Sequence, residues 1–458
     1  MQLPEIFKAQ FDELLPVEEQ NALFATIESG EASTSVRYNP LKKAQRMDGK
    51  TIPWSENGII LPERPDFTHD PLFQAGTYYV QDASTQLLEY FIKEIQKEAK
   101  IETVLDLCAA PGGKTTHLLS LLGEDTLVIA NEVIATRTKM LYENTGKWGY
   151  PNLVLINKDP KYLSHVADYF DCIVVDAPCS GEGLFRKDPG AVDEWSPEQV
   201  MQCSLRQKRI LSDALIALKP GGYLIYSTCT YNYLEDEYIV EWLQEDFGFE
   251  GQHFDLPEVW NLSATEAENT SCFRTFPHRI EGEGFFIAVL KKPLDQRALK
   301  PVRDRKSAFT LKPLAEKAVT AWFKEPKKYM LFEDHGTIIA FPKKHFENFQ
   351  NLAKELWPDS FGIKVAERKG RDIVPTHDLA LSTILREDAF QTLEVSKEAA
   401  QQFQKKEPLT LDELNISAQT GNLEGYVLLT FQQIPLGFIK VSNKKISNLY
   451  PMDWRVRR

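Results

Sequence analysis

An α/β fold built on a doubly wound parallel sheet is predicted for the middle of this chain, and three observations predict it. Short apolar runs recur at residues 104–107, 127–130, 153–156, 173–175 and 224–226, each long enough for a buried strand. Stretches of helical character separate them, the alternation expected of βαβ units. The residues just past the runs are acidic, cysteine or turn-forming, as at a ligand crevice along the carboxyl edge of such a sheet.

Taken in order, residues 1–98 form a small α+β unit. Short apolar runs are punctuated there by Asn39-Pro40 and Met47-Asp48-Gly49. Leu87, Leu88, Phe91, Ile92 and Ile95 fall at helical spacing and make a lead-in helix over 83–100. Residues 99–292 carry the predicted sheet. Between its last two parallel strands a long helix is expected over about 197–218, stopped by Lys219-Pro220-Gly221-Gly222. Cys272-Phe273-Arg274 and residues 285–290 read as a closing antiparallel pair. After Leu290 comes a basic stretch, Lys291, Lys292, Arg297, Lys300, Arg303, Arg305 and Lys306, which reads as a linker, and residues 293–385 continue from it as a mixed intermediate region. Residues 386–458 are rich in strand signals and are expected to end the chain as a small barrel.

At 458 residues, 43% hydrophobic and 26% charged, the composition is that of a soluble globular protein of several domains. Neither a basic, apolar leader nor a run of membrane-spanning length is present, so a cytoplasmic location is the expectation. Six cysteines without paired CxxC spacing argue against a disulfide framework and against a structural metal. The net charge of −13 divides unevenly, −21 over residues 1–290 and +8 over 291–458. An acidic body with a basic tail remains compatible with an RNA partner, because phosphate contacts depend on local charge.

Two cysteines stand apart from the other four. Cys108, Cys172, Cys203 and Cys272 read as small buried hydrophobes. Cys179, in Asp176-Ala177-Pro178-Cys179-Ser180-Gly181-Glu182-Gly183, and Cys229, in Ser227-Thr228-Cys229-Thr230, lie just beyond strands among turn residues. Two thiols at one crevice point to covalent catalysis, one as nucleophile and the other moving a proton or releasing the adduct. Thiol chemistry alone does not decide which is which.

The first strand runs into Cys108-Ala109-Ala110-Pro111-Gly112-Gly113-Lys114-Thr115-Thr116. Small residues there admit close backbone approach at a helix N-terminus, but the spacing is neither GxGxxG nor GxxxxGK. Glu132, Asp159 and Asp176 follow three successive strands. A single such carboxylate is usually a helix cap; three on one sheet point to a nucleoside pocket, with Glu132 on ribose hydroxyls and Asp159 on an adenine amino group.

These segments resemble the Sun-type RNA 5-methylcytosine methyltransferases. The resemblance is carried by residues 106–115, 131–137, 176–183 with Phe185-Arg186-Lys187-Asp188, and 227–230. It implies a Rossmann-like domain that binds S-adenosylmethionine through Cys108, Ala109, Ala110, Pro111, Gly112, Gly113, Lys114, Glu132, Arg137, Asp159 and Asp176. It implies Cys229 as the nucleophile toward carbon 6 of cytosine and Cys179 as the group that assists release. Asp176 would hold N3, and Lys114 would add positive charge near the site. DNA cytosine methyltransferases use the cysteine of a Pro-Cys motif, which would make Cys179 the nucleophile; Cys229 after the next strand is what points to the RNA family.

The long C-terminal extension is similar to the RsmF branch, which implies a PUA-like RNA-binding β-barrel at the end. Pro435-Leu436-Gly437-Phe438, Asn448-Leu449-Tyr450-Pro451 and Trp454-Arg455-Val456-Arg457-Arg458 carry that likeness, although Met452-Asp453-Trp454 departs from the usual Lys-Gly-Leu. Aromatics in that segment read first as core and second as stacking platforms. The implied partner is 16S ribosomal RNA near the decoding region or the small subunit, met by a monomer without DNA or membrane. A transfer-RNA methyltransferase and an inactive RNA-binding assembly factor are the alternatives.

Overall fold

The computed structural model describes residues 2–295, 311–411, 413–414, 423–443 and 445–457. The basic residues Arg297, Lys300, Arg303, Arg305 and Lys306, and the terminal Arg458, lie outside them. Among the described residues no helix is long and apolar enough to cross a membrane.

The apolar runs are strands because each is buried on both faces, which favours continuous Val, Ile and Leu over alternation. Five of them pair in parallel: Thr103–Asp106, Leu127–Asn131, Leu153–Ile156, Phe170–Asp176 and Leu218–Thr228. Numbered along the chain, their spatial order is 3-2-1-4-5, the doubly wound arrangement with its reversal between the first and fourth. Phe285–Lys291 then pairs antiparallel with Leu218–Thr228, and Thr270–Thr275 and Ser263–Ala267 extend that side.

Two details differ from the sequence expectation. The long helix, Pro197–Ala214, ends after a short turn, Leu215–Ala217, and Lys219-Pro220-Gly221-Gly222 already belong to the next strand. Their turn chemistry is real but serves a distortion at the strand's start, where Gly221 has φ 75° and the pairing register shifts between Phe170 and Cys172. The other edge of the sheet is closed by Ser360–Phe361, from the intermediate region, which pairs with Leu153–Ile156. Phe341, Phe349 and Phe361 join Leu105, Ile129 and Val154 in one core, so this region is packed onto the sheet.

At the N-terminus the helix Val17–Ser29 precedes a four-stranded sheet containing Thr34–Tyr38 and Gly58–Leu61. The lead-in helix, Leu88–Glu98, buries Leu88, Phe91, Ile92 and Ile95 as its spacing predicts. The chain ends in a four-stranded sheet, Gln391–Glu394, Gly425–Phe431, Ile434–Ser442 and Lys445–Asn448. Tyr450 and Trp454 are buried beside it, and Trp454 packs its ring on Tyr142 and His377.

One buried cation ties the N-terminal sheet to the cofactor-side helix. Arg37 is 1% exposed and donates to Gln81 Oε1 at 2.7 Å, Thr116 Oγ1 at 2.6 Å and the Gly113 carbonyl at 3.1 Å, with Trp148 against its guanidinium. Among the described residues no carboxylate forms an ion pair with it, and burial pulls its pKa down to about 9. Replacing it leaves the buried Gln81 Oε1 without its donor, while Thr116 Oγ1 and the Gly113 carbonyl keep their bond to each other. Arg37→Met is expected to lower the unfolding free energy by about 2–3 kcal/mol, read from denaturant titration.

Candidate active site

The crevice opens where the strand order reverses, because the loops leaving the first and fourth strands turn to opposite faces. From the first strand the chain passes Gly112, whose φ of 115° lies in the left-handed region, into the helix Gly113–Leu122. No side chain caps that helix, so its first-turn N–H groups suit a ligand carboxylate or hydroxyl. At the root of the loop Asp106 is fully buried. One of its oxygens accepts from Thr115 Oγ1 at 2.6 Å, while the other has no partner among the described residues. Burial pushes this carboxyl up to about 7.

The loop itself is held from outside. The Ala109 N–H donates to the Asn131 carbonyl at 2.8 Å, Arg137 to the Ala110 carbonyl at 2.7 Å, and Asn144 to the Pro111 carbonyl at 2.8 Å. Arg137 is therefore a loop-positioning residue, also 3.7 Å from Glu132. Glu132 is buried and accepts the Ile134 N–H at 2.8 Å. Cys108 is half-buried, and burial raises its thiol far above the usual range, so it stays protonated. Asp159 caps the turn Pro160–His165 by accepting the Lys161 N–H at 3.2 Å and sits 3.5 Å from Arg209. A left-handed glycine, an uncapped helix start, an orphaned buried carboxyl oxygen and the Glu132 carboxylate at one switch point fit a nucleoside-bearing cofactor with an amino-acid tail.

Across the crevice Asp176 ends the fourth strand. Its Oδ1 lies 2.7 Å from the Lys114 ammonium and accepts from Ser227 Oγ at 3.2 Å. Lys114 is nearly buried, over the face of Phe285, so its charge acts first on this carboxylate. Asp176 and Ser227 are paired in the parallel ladder, which delivers the two following turns side by side.

Those turns bring Cys179 and Cys229 into contact, Sγ to Sγ at 3.1 Å, both thiols free and half-buried. The hydrogen bond to Cys229, followed by burial, holds the Cys179 thiol well above its ordinary pKa. The sulfurs are aligned by backbone: the Gly183 N–H donates to the Cys229 carbonyl at 2.8 Å. A Cβ at Gly183 would stand 2.4 Å from the Gly284 carbonyl oxygen and 3.0 Å from that of Cys229. Glycine is the residue that lets the loops touch.

Sequence reasoning missed the buried carboxylates behind the thiols. Glu182 accepts from Thr230 Oγ1 at 2.8 Å, the Tyr231 N–H at 2.9 Å, Trp195 Nε1 at 3.0 Å and Asn232 Nδ2 at 3.1 Å, and burial raises its pKa. Glu235, six residues past Cys229, is equally buried. The available signal was polar, acidic residues inside both cysteine segments where surface chemistry did not need them. The N-terminal helices cover this network: Phe7 and Phe11 pack with Phe185, Trp195 and Tyr231.

Comparison with known proteins agrees with the architecture. The family described as 16S rRNA methyltransferase RsmB/F matches residues 94–291, the N-terminal domain of 16S rRNA methyltransferase RsmF matches 3–83, and the methyltransferase RsmF PUA domain matches 390–456. The chain is 31% identical over 422 residues to the ribosomal RNA small subunit methyltransferase F of Pectobacterium carotovorum, covering 88% of this chain and 83% of the relative. It is 28% identical to the protein of that name from Shewanella sp. strain MR-4, covering 92% and 90%. Among solved structures, a methyltransferase homolog from Pyrococcus horikoshii superposes with TM-score 0.51 at 25% identity, over 63% of this chain and all of that one. NSun6 from the same organism, solved with SFG, gives 0.52 at 19% identity, over 63% and 98%.

Gly183→Ala is expected to cost about 1–3 kcal/mol of stability through overpacking and to depress turnover more than ten-fold. Thermal unfolding and methyl-incorporation assays on the same preparation check both.

Proposed function

The chain belongs to the 16S rRNA methyltransferase RsmB/F family, with the N-terminal and PUA domains of RsmF, and we propose that it methylates carbon 5 of cytosine in small-subunit ribosomal RNA through a covalent adduct on Cys229. The observation that carries the reading is the pair of free thiols 3.1 Å apart at the carboxyl edge of adjacent parallel strands. S-adenosylmethionine, whose analogue SFG accompanies NSun6 of Pyrococcus horikoshii, supplies an electrophilic methyl group on a sulfonium. Cys108 to Lys114, Glu132 and Asp176 are the residues proposed to hold it, with Arg137 fixing the loop. Asp159 is proposed as a second-rank contact, since its carboxylate is already engaged with Lys161 and Arg209.

Carbon 5 of cytosine is too weak a nucleophile to attack unaided, so a group must first add to carbon 6. Cys229 is proposed as the attacking thiol, as the family resemblance implies, its proton passing to solvent as it adds. Its Sγ–C6 bond forms while the C5–C6 π pair shifts through C4 to N3, and Asp176, tied to Lys114 and Ser227, is proposed to deliver a proton to N3 where negative charge develops, its carboxylate then balanced by Lys114.

Adduct formation then changes Cys179. Its thiol is held up first by the hydrogen bond to Cys229, with the charge on that sulfur a further contribution. Both vanish when Cys229 becomes a thioether, which lowers the cost for Cys179, still raised by burial, to give its proton to solvent. As thiolate it takes the proton from methylated carbon 5, the C–H pair re-forms the C5–C6 double bond, and Cys229 leaves with its electrons. One sulfur's bond to substrate thus prepares the other as base.

Purified wild type, Cys229→Ala and Cys179→Ala incubated with S-adenosylmethionine and 16S rRNA test this. Cys229→Ala should lose methylation by more than about 1,000-fold. Cys179→Ala should accumulate a protein–RNA adduct on a denaturing gel, absent from the double variant. Full activity of Cys229→Ala, or an adduct trapped in it, would overturn the assignment.

A further inference from the structure

We propose that Cys179 and Cys229 form a reversible oxidation site: a hydroperoxide closes them into an intramolecular disulfide that switches off methyl transfer and shields Cys229 from irreversible oxidation. The closure stands on the sulfur geometry alone. Its effect on methylation rests on Cys229 being the nucleophile proposed above.

The two sulfurs are 3.1 Å apart on free, half-buried thiols. That is about 1 Å more than the length of a disulfide bond. Solvent reaches this edge of the sheet, where the Asp176 side chain is 41% exposed. The remaining cysteines do not share the arrangement: Cys172, Cys203 and Cys272 are buried, and among the described residues no other two thiols hydrogen-bond to each other.

Both turns are held in place on either side of the contact. Glu182, on the Cys179 turn, accepts Thr230 Oγ1 at 2.8 Å and the Tyr231 N–H at 2.9 Å, just after Cys229. Glu235, on the Cys229 turn, accepts the Ser180 N–H, next to Cys179, at 3.0 and 3.3 Å on its two oxygens. Asn232 Nδ2 joins the two carboxylates, donating to Glu182 at 3.1 Å and to Glu235 at 2.8 Å. Gln207 Nε2, on the helix Pro197–Ala214, reaches Glu235 at 2.8 Å and the Pro178 carbonyl at 3.2 Å. The sulfurs are therefore neighbours before any oxidant arrives, and closure needs no search for a partner.

A thiolate sulfur of the pair attacks one oxygen of the peroxide. The S–O bond forms, the O–O bond breaks, and the leaving oxygen takes a proton to depart as water or an alcohol, giving a sulfenic acid. The facing thiol then attacks that sulfur: the S–S bond forms, the S–O bond breaks, and hydroxide leaves as water with the second thiol's proton. The pair loses two electrons and the peroxide gains two, and either cysteine can react first. An external dithiol reverses the closure by exchange, because the crevice is open to it. A sulfenic acid with no thiol against it goes on instead to sulfinic and sulfonic acids, which thiols do not reverse.

The full-length protein is exposed to hydrogen peroxide, free thiols are blocked with N-ethylmaleimide, and the unreduced digest is mapped by mass spectrometry. Methylation of 16S rRNA is assayed on the same samples before and after dithiothreitol. The expected result is a linked pair of peptides carrying Cys179 and Cys229, lighter by two hydrogens than the free pair, with a loss of methylation of more than about ten-fold that dithiothreitol restores. Cys203→Ala, which removes a buried thiol from the helix behind the turns, should behave as wild type. In Cys179→Ala the same treatment should add two or three oxygens to Cys229, and dithiothreitol should not remove them. Overoxidation of Cys229 in the wild type as in Cys179→Ala, a linked pair running through Cys203 or Cys108, or closure that leaves methylation undiminished overturns the proposal. A linked pair forming in a protein that methylates no cytosine would instead sink the cytosine reading and leave the oxidation site standing.

Discussion

The site depends on one pairing: Phe170–Asp176 runs parallel to Leu218–Thr228, with Asp176 opposite Ser227. Parallel neighbours end at the same edge, so two turns separated by 50 residues of sequence leave the sheet together, and the side chains three residues past Asp176 and two past Ser227 can meet. An antiparallel pair would have sent the cysteines to opposite ends. The crossover that parallel pairing requires is supplied by the helix Pro197–Ala214, whose Gln207 reaches back to both turns. The connection between the strands is therefore also part of the site.

What surrounds the pair is unusual for a protein interior. Glu235, Asp236 and Glu237 are buried in consecutive positions, Glu182 is buried beside them, and among the described residues only Arg274 forms an ion pair with any of the four. Unpaired buried carboxylates are costly unless hydrogen bonds satisfy them, and here backbone N–H, amide, indole and hydroxyl donors do so. Such a dense acceptor network has one consequence for chemistry: it favours neutral thiols over thiolates.

The parallel strands, the lead-in helix and the two exceptional cysteines were legible because each rests on local pattern. Apolar runs of fixed length and turn residues in sequence are enough to say that Cys179 and Cys229 stand past strand ends. What was not legible depended on partners distant in sequence. Lys219 to Gly222 look like a helix stop, yet the flanking pairs Phe170–Leu218 and Cys172–Tyr223 hold them in the strand as a distortion, with Gly221 and Gly222 bonded to Lys292. Asp159, Glu132 and Asp176 look alike as acids after strands, but the first caps a turn, the second holds its own loop and only the third meets Lys114. Glu235 carried no motif, since its role comes from donors contributed by residues 180, 207 and 232.

The C-terminal regions bear on the same question of geometry. Ser360–Phe361 lies in the central sheet, Asp378 accepts from the Tyr142 hydroxyl at 2.6 Å, and Trp454 sits so close to Gly146 that a Cβ there would approach its ring to 2.8 Å. Tyr142 and Gly146 are both on the helix Ala135–Trp148, which begins just after Glu132 at the cofactor crevice. The last sheet is thus docked on a helix of the catalytic domain and shares a core with its Tyr142. Under the proposed function, a fixed separation between the last sheet and the thiol pair narrows the choice of base more than affinity alone, because a base at the wrong distance does not reach Cys229.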